Sequence, residues 1–314
     1  MDELDADIDA MLGKVVRGET IAPPPKREQP RLARAARAAR KGRAAEVERV
    51  EHTEPEAEKP CPYVDPKSLP WRFSRLKKMA LSPAHYLHAC QQDLDDSLAL
   101  RLGTGTHAML FEQSVVCYPH VRNGKRWEAF KAEHAEKVIL SPSEWRRASK
   151  IVAAIRANRD AMRVLFDGTI REQRIVWKRG DRDCVSTPDA RSKRWITDLK
   201  TTRCAEPETF KRDALRRFYH AQIAFYSDAA EYADDNRPEE GYIVAVESTE
   251  PFPVTVLQLT PELIARGASI CAAWAERLQV CEATDHWPEY ATDIVTFGIP
   301  DRELFDAMEL GLDL

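Results

Sequence analysis

Two carboxylates and a lysine within the stretch Ser186–Thr202 constrain this chain more than any other feature. The runs Cys184–Arg191 and Arg194–Thr201 read as extended, and the polar step at Ser192-Lys193 is short enough to join them as a hairpin. Asp189 then lies on one strand and Asp198 on the next. Strand alternation turns Asp198 and Lys200 to one face and Leu199 to the other, toward a core. Two acids and an ammonium on a half-buried patch need partners. A divalent cation held by the acids, with the lysine beside an attacking water, supplies them and gives phosphodiester hydrolysis. The competing reading is an exposed hairpin with solvated charges. Asp-x-Lys alone has little weight, since Asp65-Pro66-Lys67 repeats it in a proline-flanked stretch with no strand before it. The Asp198 copy follows Pro188-Asp189, sits in Ile196-Thr-Asp-Leu-Lys200, and precedes a helical pattern.

Periodicity places that hairpin in a mixed α/β core. It predicts helices over Ser74–Gln91, Ser97–Gln113 and Pro142–Arg159, then strands over Arg171–Lys178, Asp183–Ala190 and Trp195–Thr201. Helices at Pro207–Arg216 and Tyr219–Ala233, strands at Gly241–Ser248 and Phe252–Leu259, and a helix at Pro261–Cys281 complete the pattern. The folded part is expected to begin near Tyr63–Trp71, giving a tail over residues 1–62 and one domain over 63–314.

Pro188-Asp189 with Asp198-Leu199-Lys200 resembles the PD-(D/E)XK nuclease signature. Gln222-Ile-Ala-Phe-Tyr226 resembles the Gln-xxx-Tyr motif of its RecB-like branch. Upstream, Phe73-Ser-Arg-Leu76, Ser82-Pro-Ala-His-Tyr86 and Leu102-Gly-Thr-Gly-Thr-His107-Ala are similar to the start of that branch. Trp287-Pro-Glu-Tyr290 through Phe297-Gly-Ile-Pro300 is similar to the end of RecE-type (exonuclease VIII) domains. The resemblance spans about residues 68–300 and implies a restriction-endonuclease-like sheet flanked by helices.

The resemblance also implies roles. Asp189, Asp198, His107 and the Leu199 carbonyl would ligate Mg²⁺ or Mn²⁺, an imidazole favouring Mn²⁺. Lys200 would orient water or meet charge growing on the phosphate, without acting as a lone base. Glu172 is a further acidic candidate, and two glycines before His107 permit close backbone approach. Gln222 and Tyr226, four apart on a helix, share a face that would abut the metal and touch the DNA backbone. Core packing for Tyr226 and capping for Gln222 are the alternatives. Trp71, Arg75 and Tyr86 are candidates for holding a DNA end.

Composition bounds the setting. The chain has 314 residues and 31% charged side chains, without an apolar run long enough to span a membrane. Its start, Met1-Asp-Glu-Leu-Asp, lacks an apolar signal core, so a cytoplasmic protein is expected. Seven cysteines without a CxxC pair fit reduced thiols, and Cys271 and Cys281 alone cannot supply the late trio of an iron–sulfur nuclease, so no cluster is expected. With a net charge of −4, DNA binding must rest on local patches. Arg203, Lys211, Arg212, Arg216 and Arg217, just beyond the Asp-Leu-Lys strand, are the candidate phosphate contacts. In the tail, Leu4, Ile8, Met11 and Leu12 form a possible docking stripe. Arg31, Arg34, Arg37 and Arg40 precede a glutamate-rich run, and a flexible charged linker is the favoured reading.

The expectation is a metal-dependent exonuclease on double-stranded DNA ends. Through the RecE resemblance it runs from the 5′ side and leaves a 3′ strand for an annealing recombinase, in recombination of phage or prophage type, as a homo-oligomer. Rivals are a RecB-like repair or CRISPR-associated nuclease on single strands, and a non-catalytic DNA-end or recombinase-docking module.

Overall fold

A computed structural model of the chain describes residues 64–92, 97–291 and 293–296. The tail stripe, the Arg/Ala stretch, Cys61 and the Phe297–Pro300 motif lie outside these residues. Among the described residues, no helix is long and apolar enough to cross a membrane.

The frame is a five-stranded mixed sheet in the order β3-β6-β7-β8-β9: β3 (Ile170–Arg171), β6 (Ala190–Arg191), β7 (Trp195–Thr202), β8 (Glu240–Glu247) and β9 (Val254–Leu259). Only β7 and β8 run parallel, in a register pairing Asp198 with Ile243 and Lys200 with Ala245. Parallel neighbours need a crossover. It is made by α7 (Pro207–Arg216) and α8 (Tyr219–Asp234), with Phe218 between them at φ 59°. Alternation along β8 sends Tyr242, Val244 and Val246 to one face and Ile243 and Ala245 to the other. The first face is covered by α3 (Leu98–Leu110), α5 (Pro142–Ala157) and α6 (Arg159–Phe166). The second is covered by α8 and by α9 (Pro261–Thr284). A third apolar cluster, with Trp71, Phe73, Tyr86, Trp177, Phe225 and Trp274, joins α1 (Phe73–Leu76) and α2 (Pro83–Gln91) to α8, α9 and a separate hairpin.

That hairpin, β4 (Ile175–Arg179) with β5 (Arg182–Ser186), corrects the expected strand pairing. The predicted strand Arg171–Lys178 is cut at Glu172, whose φ of 50° lies in the left-handed region where an L-residue leaves a strand. The predicted strand Asp183–Ala190 is cut at Thr187–Asp189, where Pro188 has no N–H to donate to a ladder. The chain therefore leaves the small sheet at Ser186 and joins the large one at Ala190. Asp189 lies at the crossing, not on a strand.

The predicted helix Ser74–Gln91 is likewise three pieces: α1, a 3₁₀ turn at Lys77–Ala80, and α2, begun afresh by the Ser82 cap and Pro83. Asn158 ends α5 and caps α6, accepting from the Ala161 amide at 2.9 Å, so the pattern predicted to stop at Arg159 restarts there. Absent from the sequence reading are α4 (Gly124–Glu133) and the three-residue parallel strands β1 (Val115–Cys117) and β2 (Val138–Leu140). Those strands are too short for alternation to register.

Candidate active site

Four elements converge beside β7. Leu199 buries its side chain under α3 and α5 and leaves its backbone at the junction. The Leu199 amide donates to Asp189 Oδ2 at 2.5 Å, tying the sheet-crossing residue to the Asp-Leu-Lys strand. The Leu199 carbonyl lies 3.2 Å from His107 Nε2 on α3. That helix lies close because a side chain at Gly103 would sit 3.3 Å from Thr201 Oγ1, and one at Gly105 would drive into Leu140 of β2 at 2.8 Å. The other ring nitrogen, His107 Nδ1, is 3.3 Å from Glu172 Oε1 and 3.4 Å from Asp189 Oδ1. Glu172 is held there by the same left-handed turn that cuts the strand, its amide donating to the Asp189 carbonyl at 3.1 Å. Backbone in sparsely populated regions gathers at working sites.

His107, Glu172 and Asp189 thus bring one ligand atom each to within 4.8 Å of one another. Asp198 sits on the opposite side of the strand from Leu199. It is buried, pairs with Lys200 Nζ at 2.5 Å through Oδ2, and accepts from Gln222 Nε2 at 3.2 Å through Oδ1. Gln222 also donates to the Tyr226 hydroxyl at 2.9 Å, so the two side chains four apart on α8 act on one carboxylate. The Lys200 ammonium lies 4.8 Å above the Tyr219 ring.

Burial works against charge at each of these groups, and the neighbours decide the outcome. Burial would depress the His107 imidazole, but the Asp189 and Glu172 carboxylates push it up to about 10. Burial would raise Asp189, but His107, Lys200 and the Leu199 amide hold it below the usual carboxylate range. At Asp198 burial wins, reinforced by Asp189, and its pKa rises despite Lys200. Lys200 is raised, because Asp198 and Asp189 outweigh its burial.

This donor set fits a hard divalent cation. Carboxylate and carbonyl oxygens surround one imidazole, and the buried Asp198 Oδ2 has the Lys200 ammonium as an ion-pair partner but no hydrogen bond. Glu172, the marginal acid of the sequence reading, stands in the His107 cluster, whereas Asp198 stands with Lys200 and Gln222.

Other sequence candidates sit elsewhere. Trp71 is fully buried under Arg182, and Tyr86 is buried against Trp287, so neither ring has a face for a base. Both are core because α1 and α2 anchor the helical layer. Ser74, inside the Phe73–Leu76 motif, and Arg72 and Lys77, which no motif marked, instead line a cleft of about 360 Å³ with Lys200, Gln222 and Tyr226. Burial, with Lys200, Lys78 and Arg217 nearby, lowers the Lys77 pKa. The basic group after β7 divides: Lys211 pairs with Glu208 and Arg216 with Asp213, while Arg203 and Arg217 line another cleft.

A family described as a PDDEXK-like domain of unknown function (DUF3799) matches residues 72–296. No curated protein matches the chain. A crystal structure of a candidate exonuclease from Eubacterium rectale superposes with a TM-score of 0.51 at 11% identity, over 74% of this chain and 91% of its own. That likeness is one of fold. LHK-Exo in complex with dAMP aligns over 59% of this chain and 93% of its own at 13% identity, with a TM-score of 0.27.

Proposed function

Since this chain belongs to the family of PDDEXK-like domains, we propose that it is a divalent-metal-dependent nuclease hydrolysing DNA phosphodiester bonds. The observation that carries the reading is the convergence of His107, Glu172, Asp189 and the Leu199 carbonyl beside the Asp198–Lys200 pair. Held by Asp189, His107, the Leu199 carbonyl and Glu172, with Asp198 completing the acidic set, Mg²⁺ or Mn²⁺ would supply Lewis-acid polarisation of phosphate and a more acidic water. Lys200 keeps its proton and presents a fixed positive charge to oxygens that gain charge during cleavage. It therefore positions and stabilises; it does not abstract. Gln222 fixes the rotamer of Asp198, and Tyr226 fixes Gln222.

In its finer form the reading is a RecE-type exonuclease. It acts on double-stranded ends from the 5′ side, leaves a 3′ strand for an annealing recombinase, and works as a homo-oligomer. Arg203, Arg216 and Arg217 are its DNA-backbone contacts. Digestion of linear duplex, nicked circle and single strand, each labelled at one end, tests this form. Linear duplex should be consumed from the 5′ side and circles spared; preference for single strands would transfer the assignment to the RecB-like repair class. Lys200→Ala should lower turnover by about two to four orders of magnitude, with Mn²⁺ affinity held within about threefold. Equal turnover would place the chemistry elsewhere.

A further inference from the structure

A cleft of about 550 Å³ opens beside the candidate metal cluster, walled by α3, α5, the end of β7 and the α7–α8 corner. Arg147 reaches it from α5, Arg203 from the turn after β7, and Arg217 from the end of α7. All three side chains are exposed, and none makes an ion pair among the described residues. The acid on its wall, Asp213, faces Arg216 at 3.9 Å. Three guanidinium groups from separate elements around one concavity repel one another unless an anion sits among them. A guanidinium fork matches phosphate oxygens better than any other anion-binding side chain.

The cleft is continuous with the cluster. Ala99 and Thr201 line both this cleft and the one containing His107 and Glu172, and Thr201 directly follows Lys200. Tyr219, on its wall, carries the Lys200 ammonium over its ring. An anion seated among the arginines is therefore a neighbour of whatever Lys200 faces.

We propose that the Arg147–Arg203–Arg217 cleft is a phosphate subsite for the nucleic-acid strand flanking the scissile bond. Arg147 is the residue that joins the arginines after β7 into one site. The proposal rests on the nuclease reading and adds the path of the strand to it. It leaves Lys211, which is paired with Glu208 at 2.7 Å, outside that path.

The test is the salt dependence of binding to end-labelled DNA by the full chain in chelator, read by anisotropy. Arg147→Ala, Arg203→Ala and Arg217→Ala are compared with Arg146→Ala, an exposed neighbour absent from the cleft. Each cleft variant should reduce the slope of log K against log salt by about 0.7–0.9, one phosphate contact. Each should also weaken binding several-fold at fixed salt, while R146A keeps the wild-type slope. R147K should keep the slope that R147A loses, separating charge from folding. Cleft variants indistinguishable from R146A, in a protein that binds and cuts DNA, would overturn the subsite alone. A wild-type chain that neither binds nor cuts DNA would overturn the nuclease reading along with it.

Discussion

Burial disfavours an imidazolium at His107, yet two carboxylates within 3.4 Å outweigh it and push the ring up to about 10. A cation ligated by that ring competes with its proton. Mn²⁺ affinity should therefore rise with pH, by up to about tenfold per unit below the folded-state pKa. Calorimetry at pH 6, 7 and 8 reads this directly, and in His107→Asn the dependence should flatten; a pH-independent wild-type affinity would remove His107 from the site. At this scale the sequence was informative where chemistry is carried by residue type. The Asp189 and His107 motifs named side chains 3.4 Å apart, and the Asp198-Leu-Lys200 motif named a buried ion pair on the neighbouring strand. Glu172 was faint because its place depends on a left-handed backbone turn that no motif encodes. Arg72, Lys77 and Arg147 carried no signal, since each joins a cleft only through tertiary contact.

The elements were legible where a cap or a period marked them. Pro207–Arg216 was predicted with its observed bounds, because Pro207 opens the helix, Glu206 caps it, and the apolar positions keep a helical period. The two strands before the site were not, since Glu172 and Pro188 reassign their halves to different sheets without disturbing alternation. The start of α5 is a capping box: Ser141 accepts from the Glu144 amide, and Glu144 accepts from the Ser141 amide and from Arg101 and Arg122. Burial would raise Glu144, but these donors hold it down at about 2. The sign follows: its stabilisation is present above the ordinary glutamate pKa of about 4.3 and is lost as pH falls toward 2. Glu144→Gln should lower the melting temperature at pH 7 and bring it closer to wild type at pH 3; a constant difference across that range would contradict the account. On the other face, a side chain at Gly267 would meet the His220 carbonyl oxygen of α8 at 2.5 Å. Gly267→Ala should therefore destabilise the protein by about 1–3 kcal/mol in chemical denaturation, through overpacking of α8 on α9.

Across the whole molecule, one sheet organises both chemistry and packing. Its parallel pair, β7 and β8, is buried from both sides, and the acids emerge where β7 meets the sheet-crossing loop. Lys200 lines two clefts, one with His107 and Glu172 and one with Arg72 and Lys77, and a third, lined by Thr201 and the arginines, opens next to them. The mixed α/β class was readable from the order of helical and extended patterns; the assignment of strands to two sheets was not, because it depends on long-range pairing. Among the described residues, the candidate ligands and the three apolar clusters lie beyond residue 63, so a chain beginning at Tyr63 should keep Mn²⁺ affinity within about threefold, with cooperative melting. Loss of both would make the first 62 residues part of the folded unit. The central claim is that Asp189 and its neighbours hold a cation that cleaves DNA. Release of label from uniformly labelled linear duplex, with Mn²⁺, by wild type and Asp189→Asn at equal melting temperature tests it most directly. The account predicts metal-dependent release by wild type and a loss of at least about a hundredfold in the variant; equal rates, or release that persists in chelator, would contradict it.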